Sequence, residues 1–558
     1  MNPSQAVVAG LRARGVDVIF GLDGDHIVHL YNALADEPAI RVITVKHENS
    51  AAIAAEVYSR LTGRPGVLLT TAGPGATNAL SGVAGAYAAA APVIHLCGGV
   101  AHGSAQEAFH GLDTPDFLQR AFEPVTKWSA RIEDPQEIPA ALDRAFSTAL
   151  SGRPGPVHVE IPVGVIDAAI DLPEPSSSPA SLERMDDTLI PNDVLRSVVQ
   201  RVDAAERIAI VAGKNACWPH VSAELVQLAE QLCAPVGHTW DALGAMPTTH
   251  PLSMSQWGTS GGGSHPIAEQ AVAEADLVIG VGVRRDTAAA RQLRSSIGDD
   301  RFLLLDATDT PSTSEAIEAG SIAGLADLLS RLSADCRERS EDPDILAMCR
   351  DAHTSLQRGL DREIARHREA RPWHIGMALA SLAARMTPDT LVITDVSQVK
   401  MWAPFQLPVF NPASQLQSGS WGAMGYVIPG VLAAGLAQPR KRIVGLVGDA
   451  SFLMASSDFV TICELGLPVV IAVHADRQIG MIHATLTEQF GRTFATEIGE
   501  VDFVGYAAAF GATGIRVDDP AQIDDAWDRA LAANGPTLLE LRAGHEFPRP
   551  WPLGCLVG

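Results

Sequence analysis

Short runs of β-branched and aliphatic residues alternate along the whole chain with longer segments rich in Ala and Leu. Runs of about four to eight such residues predict buried strands, and the segments between them are long enough for amphipathic helices. Strands connected through helices lie parallel, in sheets that helices cover on both faces. The alternation therefore predicts an α/β protein built from doubly wound parallel sheets.

The alternation falls into three blocks, which predict three domains over residues 1–170, 190–330 and 371–558. A chain of 558 residues is too long for one hydrophobic core, because a domain averages about 150 residues. Between the blocks, the composition of Leu172–Leu182 predicts a linker, and the charged residues of 333–370 predict a solvated helical connection. The first and third blocks share their size and alternation, which hints at duplication. The predicted strands are Val16–Phe20, Ile40–Val45, Gly66–Thr71, Val93–Cys97, Val157–Ile161, Ile208–Ala212, Leu277–Val281, Phe302–Asp306, Thr390–Thr394, Lys441–Leu446, Pro468–Val473 and Pro536–Arg542.

Charge and cysteine usage exclude several classes of protein. A formal charge of −24 disfavours binding to nucleic acid or to an anionic membrane surface. The N-terminal residues lack the apolar core of a signal peptide. The seven cysteines are scattered without a C-x-x-C pair, which predicts buried free thiols in a reducing cytoplasm. We therefore expect a cytoplasmic protein with no nucleic-acid and no membrane partner.

Two carboxylates follow two neighbouring predicted strands of the third block. Asp449 comes after the strand that ends near Gly448, and Asp476 comes 27 positions later, after the next strand. Ligands of doubly wound sheets bind outside the carboxyl ends of the strands, and Mg²⁺ prefers oxygen ligands such as these. Gly448 would allow close backbone approach, and the amides of Ala450 and Ser451 would attract phosphate at a helix N-terminus. The alternative is that each aspartate only caps a helix.

This stretch resembles the thiamine diphosphate motif, Gly-Asp-Gly followed after a spacer by Asn-Asn, and its surroundings resemble acetolactate synthase and its relatives. In that family the aspartate, the second asparagine and a carbonyl two residues later hold Mg²⁺. The resemblance assigns these positions to Asp449, Asp476 and Gln478. The chain departs from the motif at Ala450, which replaces a glycine, and at Asp476, which replaces the asparagine. We expect a narrower diphosphate loop and a more negative cation site.

A second resemblance lies in the first block, where Lys46–Ala52 and Tyr58–Val67 look like the first half-site of the family. There the glutamate, here Glu48, protonates a pyrimidine nitrogen of the cofactor. A buried carboxylic acid suits that proton exchange. The alternative is that Glu48 is an ordinary carboxylate at a helix start, where the helix dipole favours it.

Further segments of the third block resemble the rest of the cofactor site. Asp395–Trp402 is similar to a diphosphate-side loop, which implies cofactor contacts for Ser397 and Gln398. Met481, Ile482 and His483 follow the loop that carries Asp476 and would shape the acceptor pocket beside the cofactor.

Ser418–Gly425 resembles the segment in which a glycine carbonyl, here that of Gly422, accepts a hydrogen bond from the cofactor amino group. A bulky apolar residue, here Met424, then bends the cofactor in the family. Without the resemblance, Met424 would be an ordinary core methionine.

Three polar residues of the first block resemble substrate-side groups of the family. Asp25 stands where pyruvate decarboxylases carry a catalytic aspartate, and His26 stands where benzaldehyde lyase carries an active-site histidine. His110 stands where decarboxylases carry a histidine and acetolactate synthases a glutamine. Single histidines are often surface or core residues, but beside Glu48 these would act as proton shuttles near neutral pH.

The resemblance covers essentially the whole chain and implies an enzyme that uses thiamine diphosphate and Mg²⁺. It would make or break a carbon–carbon bond next to the carbonyl of a 2-oxo acid or a 2-hydroxy ketone. The family places the active site at a subunit interface, which implies a homodimer or homotetramer. The alternatives are a simple 2-oxo acid decarboxylase, a 2-hydroxyacyl-CoA lyase and a non-catalytic homologue that binds the cofactor. Some relatives bind FAD or an adenine nucleotide in the middle domain, and the glycines of the second block leave that ligand open.

Overall fold

A computed structural model of the chain describes residues 1–101, 109–174, 190–258, 263–308, 316–412 and 414–544. It contains three six-stranded sheets whose strand pairs are parallel. The predicted α/β class with three parallel sheets is therefore confirmed. The strands are β1 (Val18–Gly21), β2 (Arg41–Thr44), β3 (Gly66–Thr70), β4 (Val93–Gly99), β5 (Trp128–Arg131), β6 (Val157–Pro162), β7 (Ile208–Ala212), β8 (Val236–His238), β9 (Ser253–Gln256), β10 (Leu277–Val281), β11 (Phe302–Ala307), β12 (Ala316–Ala319), β13 (Thr390–Thr394), β14 (Gln415–Gln417), β15 (Arg442–Gly448), β16 (Val469–His474), β17 (Thr513–Val517) and β18 (Thr537–Leu541).

Helices connect these strands and cover the sheets. The helices are α1 (Pro3–Ala13), α2 (Val28–Ala35), α3 (Glu48–Thr62), α4 (Pro74–Ala89), α5 (Phe117–Phe122), α6 (Ile138–Leu150), α7 (Asn192–Ala204), α8 (Pro219–Leu232), α9 (Pro266–Glu274), α10 (Ala288–Ile297), α11 (Ile322–Asp335), α12 (Pro343–Arg366), α13 (Gly376–Ala383), α14 (Gln398–Gln406), α15 (Val427–Ala437), α16 (Asp449–Ala455), α17 (Phe459–Glu464), α18 (Gly480–Phe490), α19 (Phe503–Ala509) and α20 (Ile523–Ala532). None of the helices in the described part of the chain has the length and hydrophobicity of a transmembrane span.

The first and third sheets have the same topology. Their strand orders are β2-β1-β3-β4-β6-β5 and β14-β13-β15-β16-β18-β17, which are identical when each sheet is counted from its own first strand. This agreement fits the hint of duplication in the sequence. The second sheet has the order β12-β11-β10-β7-β8-β9, which is the 3-2-1-4-5-6 order of dinucleotide-binding folds.

All twelve predicted strands are present, and their ends agree with the structure to within two residues. The prediction missed β5, β8, β9, β12, β14 and β17. All but β8 lie at an edge of a sheet, and β8 has only three residues. Edge strands pack against fewer neighbours, so they do not need the continuous apolar runs by which buried strands are recognised.

The chain divides into two compact units. One unit comprises Met1–Met185, Ser418–Pro439 and Ala455–Gly466, and the other comprises Asp186–Gln417, Arg440–Met454 and Leu467–Gly558. In the first unit, α3 packs against α4 and also against α15, which comes from a distant part of the chain. The Tyr426 hydroxyl donates to Oε2 of Glu56 at 2.6 Å, and Nη1 of Arg60 donates to Oε1 of the same carboxylate at 3.0 Å. This buried charged group is fully paired, as burial requires.

In the second unit the charged stretch 333–370 is largely helical, as predicted, but one face of its helix is buried. In α12, Cys349, Leu356 and Leu360 are buried together with one charged residue, Glu363, whereas most of the other charged residues of the helix are exposed. The helix starts at Pro343 after the cap Asp342, whose carboxylate accepts from the backbone N–H of Asp344 at 2.9 Å. The stretch is therefore partly a core element and not only a solvated connection.

The six cysteines within the described residues are all free, and four of them are buried. The prediction of free thiols is confirmed for these six, but the predicted burial is wrong for Cys217 and Cys463, which are half-buried. Cys555 lies outside the described residues. Most of the predicted linker Leu172–Leu182 also lies outside them, from residue 175 onwards.

A pair of histidines lies in the core of the first sheet. His95 on β4 and His158 on β6 are fully buried, and their Nδ1 atoms are 3.0 Å apart. Nε2 of His95 lies 2.9 Å from Oγ1 of Thr70, and Phe122 stacks on the His158 ring with centroids 4.3 Å apart. Burial lowers the pKa of His95 to about 3 and also lowers that of His158. Both rings are therefore neutral near pH 7 and share one hydrogen bond.

We expect the free energy of unfolding to fall as the pH decreases below about 6.5, the usual pKa of histidine. The unfolded chain then binds two protons that the native core excludes, at about 1.4 kcal/mol per pH unit for each histidine. Urea unfolding of the wild type and of the double variant His95→Val/His158→Val between pH 7 and about pH 5 measures this slope. The double variant should show the smaller slope, and His29→Ala, which alters a half-exposed histidine on α2, should keep that of the wild type. Equal slopes in the wild type and the double variant would contradict the prediction.

Candidate active site

Glu48 is the first residue of α3, and its side chain is only 7 % exposed. Its Oε2 accepts a hydrogen bond from Nδ2 of Asn78 on α4 at 3.0 Å. The preceding residue, His47, caps the helix by accepting from the N–H of Asn49 at 3.1 Å. A carboxylate in the first turn is stabilised by the positive end of the helix dipole. A buried acid therefore lies at the junction of two helices, near the carboxyl ends of the first sheet.

His26 and His110 form a stacked pair in the same unit. Their ring centroids are 5.2 Å apart, and Phe109 stacks on His110 at 4.0 Å. His26 lies in the 3₁₀ turn Asp25–Ile27 that follows β1. Burial lowers the pKa of His26, and the nearby His110 lowers it further. The His26 ring is therefore neutral at physiological pH and can both donate and accept a hydrogen bond.

The turn between β3 and α4 connects this histidine pair to Glu48. Oγ1 of Thr71 is 3.5 Å from Nδ1 of His26. A Cβ atom placed on Gly75 would lie 2.7 Å from Cγ2 of Thr71 and 3.3 Å from Oε1 of Glu48. Gly73 has φ of +57°, and a Cβ there would lie 2.6 Å from the His110 carbonyl oxygen. The turn thus requires small residues, and it brings His26, His110 and Glu48 into one group.

The structure also shows contacts of two residues that have no individual role in the sequence-based prediction. Thr71 and Asn78 contact His26 and Glu48 respectively, whereas the sequence of Thr71–Asn78 predicts only a strand-to-helix turn that fits against a ligand and would look the same without one. The glycines of the turn that contains both residues were the available signal. Asp25, which was predicted, lies beside His26 with its own side chain exposed, and its charge raises the pKa of His26, against the effect of burial.

Gly422 and Met424 belong to the same unit and follow the 3₁₀ turn Gly419–Trp421. Trp421 contacts α4, where its Nε1 donates to Oγ of Ser81 at 3.4 Å. Gly422 has φ of +67° and is exposed, and Met424 is half-buried. The segment therefore lies beside α4, the helix that carries Asn78.

A second group of predicted residues lies at the carboxyl ends of β15 and β16 in the other unit. These strands are neighbours, with Gly448 opposite His474. Asp449 is buried, and its Oδ2 accepts from the backbone N–H of Arg477 at 2.6 Å. Burial and the nearby charge of Asp476 raise the pKa of Asp449 to about 6. The two aspartates are thus close enough to repel each other, as ligands of one cation would be.

Two glycines allow three loops to converge around these aspartates. A Cβ on Gly448 would lie 3.1 Å from Cβ of Ser397, the residue that precedes α14. A Cβ on Gly480 would lie 2.8 Å from Nε2 of Gln398 and 2.9 Å from Oδ2 of Asp476. The loops before α14, α16 and α18 therefore meet at one point.

The amides predicted for phosphate lie in the same place, because Ala450 and Ser451 occupy the first turn of α16 and are buried. In the next loop, the backbone N–H of Gln478 donates to Oδ1 of Asp476 at 3.3 Å. Met481 and Ile482 begin α18, where Ile482 is exposed.

A cavity of about 490 Å³ opens at this point, and Asp449, Asp476, Arg477 and Gln478 are among the residues that line it. This volume is typical of small-molecule sites, which measure about 300–1,000 Å³. No group of three His, Cys, Asp or Glu side chains that could hold a metal occurs in the described part of the chain. A cation between Asp449 and Asp476 would complete its shell with backbone, water or ligand oxygens, which is how Mg²⁺ is usually bound beside phosphates.

Three known domain families match the chain. They are the N-terminal TPP binding domain of thiamine pyrophosphate enzymes over residues 1–120, the central domain over 195–331 and the C-terminal TPP binding domain over 395–541. A probable acetolactate synthase large subunit of Methanocaldococcus jannaschii is 31 % identical over 553 residues, which cover 97 % of this chain and 92 % of that protein. The chain belongs to the thiamine pyrophosphate enzyme family.

Other relatives carry similar names. The acetolactate synthase large subunit of Corynebacterium glutamicum is 28 % identical, over 99 % of this chain and 88 % of that protein. The large subunit of acetolactate synthase isozyme 1 of Escherichia coli is also 28 % identical, over 97 % of this chain and 94 % of that protein. This thiamine pyrophosphate enzyme, whose cofactor is also called thiamine diphosphate, thus resembles acetolactate synthase large subunits along nearly its whole length.

An FAD or adenine nucleotide in the middle domain would bind at the second sheet. In this strand order a ligand enters between β7 and β10, where the chain reverses direction. A Cβ on Gly213, after β7, would lie 2.3 Å from the carbonyl oxygen of Gly282, after β10. Asp306 is buried nearby and accepts from Nδ2 of Asn215 at 2.8 Å. These contacts join the two loops at the crevice, and they give no support to a bound nucleotide, which the sequence left open.

We expect Gly480→Ala to weaken the binding of a divalent cation about 10- to 100-fold, the usual effect of disturbing groups around a metal ligand. The added methyl would displace Asp476 or Gln398, because both lie within 3 Å of its position. Calorimetric titration with Mg²⁺ in the presence of thiamine diphosphate measures the affinity. Gly499→Ala is the matched control, since a Cβ there meets no atom within 4 Å. Equal affinities of the two variants would show that the cation lies elsewhere.

Proposed function

We propose that this enzyme uses thiamine diphosphate and Mg²⁺ to make or break a carbon–carbon bond next to the carbonyl of a 2-oxo acid or a 2-hydroxy ketone. The observation that carries the proposal is the grouping of the buried Glu48 with His26 and His110 around one turn. An acid that activates the cofactor would there adjoin two histidines that move protons on the substrate. The similarity to acetolactate synthase large subunits supports carboligation as the direction.

The loops that carry Asp449 and Asp476 would hold the diphosphate end of the cofactor. The side chains of Asp449 and Asp476 and the carbonyl of Gln478 would bind Mg²⁺. A protein of charge −24 needs such a cation and aligned amides to retain a diphosphate. The remaining cofactor contacts are proposed for Ser397, Gln398, Gly422, Met424, Gly448, Ala450, Ser451, Met481 and Ile482.

When bound, thiamine diphosphate would supply a nucleophilic carbon and an acceptor for the electron pair of the bond that breaks. Glu48 donates a proton to the pyrimidine ring and takes it back. His26 and His110 deliver a proton to the reacting carbon or oxygen, or remove one from a bound hydroxy ketone. Asp25, whose side chain is exposed, would assist this proton transfer because its negative charge favours the protonated form of His26.

We further propose that a second copy of the chain completes the site, in a homodimer or homotetramer. Helix α18 has no buried residue among the described residues of its own chain. Ile482 and Phe490 on this helix are exposed, as are Met454 on α16 and Phe494. Apolar groups exposed together usually mark an interface. The cytoplasmic location, the small-molecule substrate and the domain boundaries 1–170, 190–330 and 371–558 belong to the same proposal.

Three alternatives predict different behaviour. A simple 2-oxo acid decarboxylase would depend most on Asp25 and His110, and a 2-hydroxyacyl-CoA lyase would require a CoA thioester. A non-catalytic homologue would have no need of Glu48, Asp449 and Met424 together. Supplying the loaded enzyme with 2-oxo acids, acyloins and CoA thioesters in turn, and trapping the cofactor-bound products by acid quench for NMR, separates these possibilities.

We expect Glu48→Gln to slow deuterium exchange at the thiazolium C2 of the bound cofactor by about 10²- to 10⁴-fold. The amide keeps the size of the side chain but has no proton to give to the pyrimidine. Exchange is followed by NMR after acid quench. Glu137→Gln, at an exposed position before α6, is the control and should exchange like the wild type. Unchanged exchange in Glu48→Gln would rule out its role.

We expect His26→Ala and His110→Phe to lower turnover by about 10²- to 10⁴-fold while cofactor affinity is unchanged. Neither ring is proposed to contact the diphosphate or the metal. A lyase would lose acyloin cleavage most with His26→Ala, whereas a decarboxylase would lose aldehyde release most with His110→Phe or Asp25→Asn. His29→Ala serves as the control. Wild-type rates of both variants on every accepted substrate would exclude the histidine pair from the chemistry.

A further inference from the structure

The two oxygens of the Glu48 carboxyl group have different surroundings. Oε2 accepts the amide N–H of Asn78 at 3.0 Å. Oε1 accepts no hydrogen bond from the residues that the structure describes. It lies 3.3 Å from the position that a Cβ would take on Gly75, so that glycine leaves space beside it. One oxygen is therefore engaged, and the other is available to a ligand.

An N–H donor at Oε2 determines where the acid carries its proton. The amide N–H of Asn78 donates to a lone pair of Oε2. If Oε2 carried the acidic proton on that side, the proton and the amide hydrogen would point at each other and repel. The neutral acid therefore keeps its proton on Oε1. The same hydrogen bond holds the carboxyl group in one orientation before and after the proton has left.

Asn78 is not needed to form its helix. The start of α4 is secured by Pro74 at the first position and by Thr77, whose hydroxyl donates to the carbonyl of Gly73 at 3.1 Å. Asn78 is an exposed residue, and the bond to Glu48 is the one hydrogen bond that its side chain makes with the residues described by the structure. Asparagine is also a poorer helix former than alanine, so a position that served only to form the helix would favour alanine.

We infer that Asn78 is a positioning residue for Glu48. It fixes the orientation of the carboxyl group and directs its proton to Oε1, from which it passes to the pyrimidine nitrogen of the cofactor and later returns. This inference rests on the proposed function, because it assigns the oxygen through which Glu48 acts. It adds a residue on another helix to the group that activates the cofactor.

Variants at position 78 test the inference in the loaded enzyme. Asn78→Ala removes the donor, and Asn78→Asp replaces it with a second carboxylate of the same shape. Asn78→His restores a donor, because Nδ1 of histidine is as far along the side chain as the amide nitrogen of asparagine. Asn32→Ala is the matched control, an exposed asparagine on α2. The measurements are thiazolium C2 deuterium exchange as a function of pH, cofactor affinity by calorimetry and thermal unfolding.

We expect Asn78→Ala to slow exchange about 10- to 100-fold, the usual effect of one hydrogen bond to a charged group, and to shift its pH profile. Asn78→Asp should be slower still, Asn78→His should recover most of the rate, and Asn32→Ala should match the wild type. Cofactor affinity and thermal unfolding should change little in all four. If Glu48→Gln abolishes exchange while Asn78→Ala and Asn78→Asp keep the wild-type rate and pH profile, the role of Asn78 is wrong and the proposed function stands. If the wild type itself binds no thiamine diphosphate, both fail.

Discussion

In a parallel sheet covered by helices on both faces, the middle of each strand has no access to water, so a polar side chain is stable there only when it is paired. A histidine pair in the first sheet follows this constraint. The two histidines in the middle of the first sheet bond to each other and to a threonine. The polar side chains of the proposed site lie instead at the carboxyl ends of the strands, as Glu48, His26 and Asp449 do. The position of the proposed active site follows from the way in which the sheets are buried.

Close backbone approach is the second requirement at these ends. Gly73 and Gly75 allow a turn to touch both a histidine and a glutamate, and Gly448 and Gly480 allow three loops to meet around two aspartates. Any larger side chain at these positions would push apart groups that must lie within a few ångströms of each other. These glycines have no side chain to separate the neighbouring groups, so the rigid backbone can hold charged side chains at short distances.

Burial of carboxylates is the energetic consequence of that geometry. Asp449 has a raised pKa because it is buried beside a second carboxylate, and backbone N–H groups offset only part of the cost. Such an arrangement is stable when a cation neutralises it, and it then provides a site for a phosphorylated ligand. Glu48 is stabilised differently, by a helix start and a single amide donor. The proposed roles differ in the same way, since Asp449 would bind a metal and Glu48 would exchange a proton.

The sequence by itself determined the fold class, the buried strands and the family, since each depends on local patterns. Continuous apolar runs mark strands such as β7 and β10, and the spacing of Asp449 and Asp476 marks a loop pair. Edge strands such as β14 escaped prediction because a strand with one neighbour needs no apolar run. Only the tertiary structure showed that Asn78 contacts Glu48 and that Thr71 lies between His26 and the same glutamate. These contacts join residues far apart in the chain through the packing of helices on a sheet, and no local pattern of side chains encodes such distances.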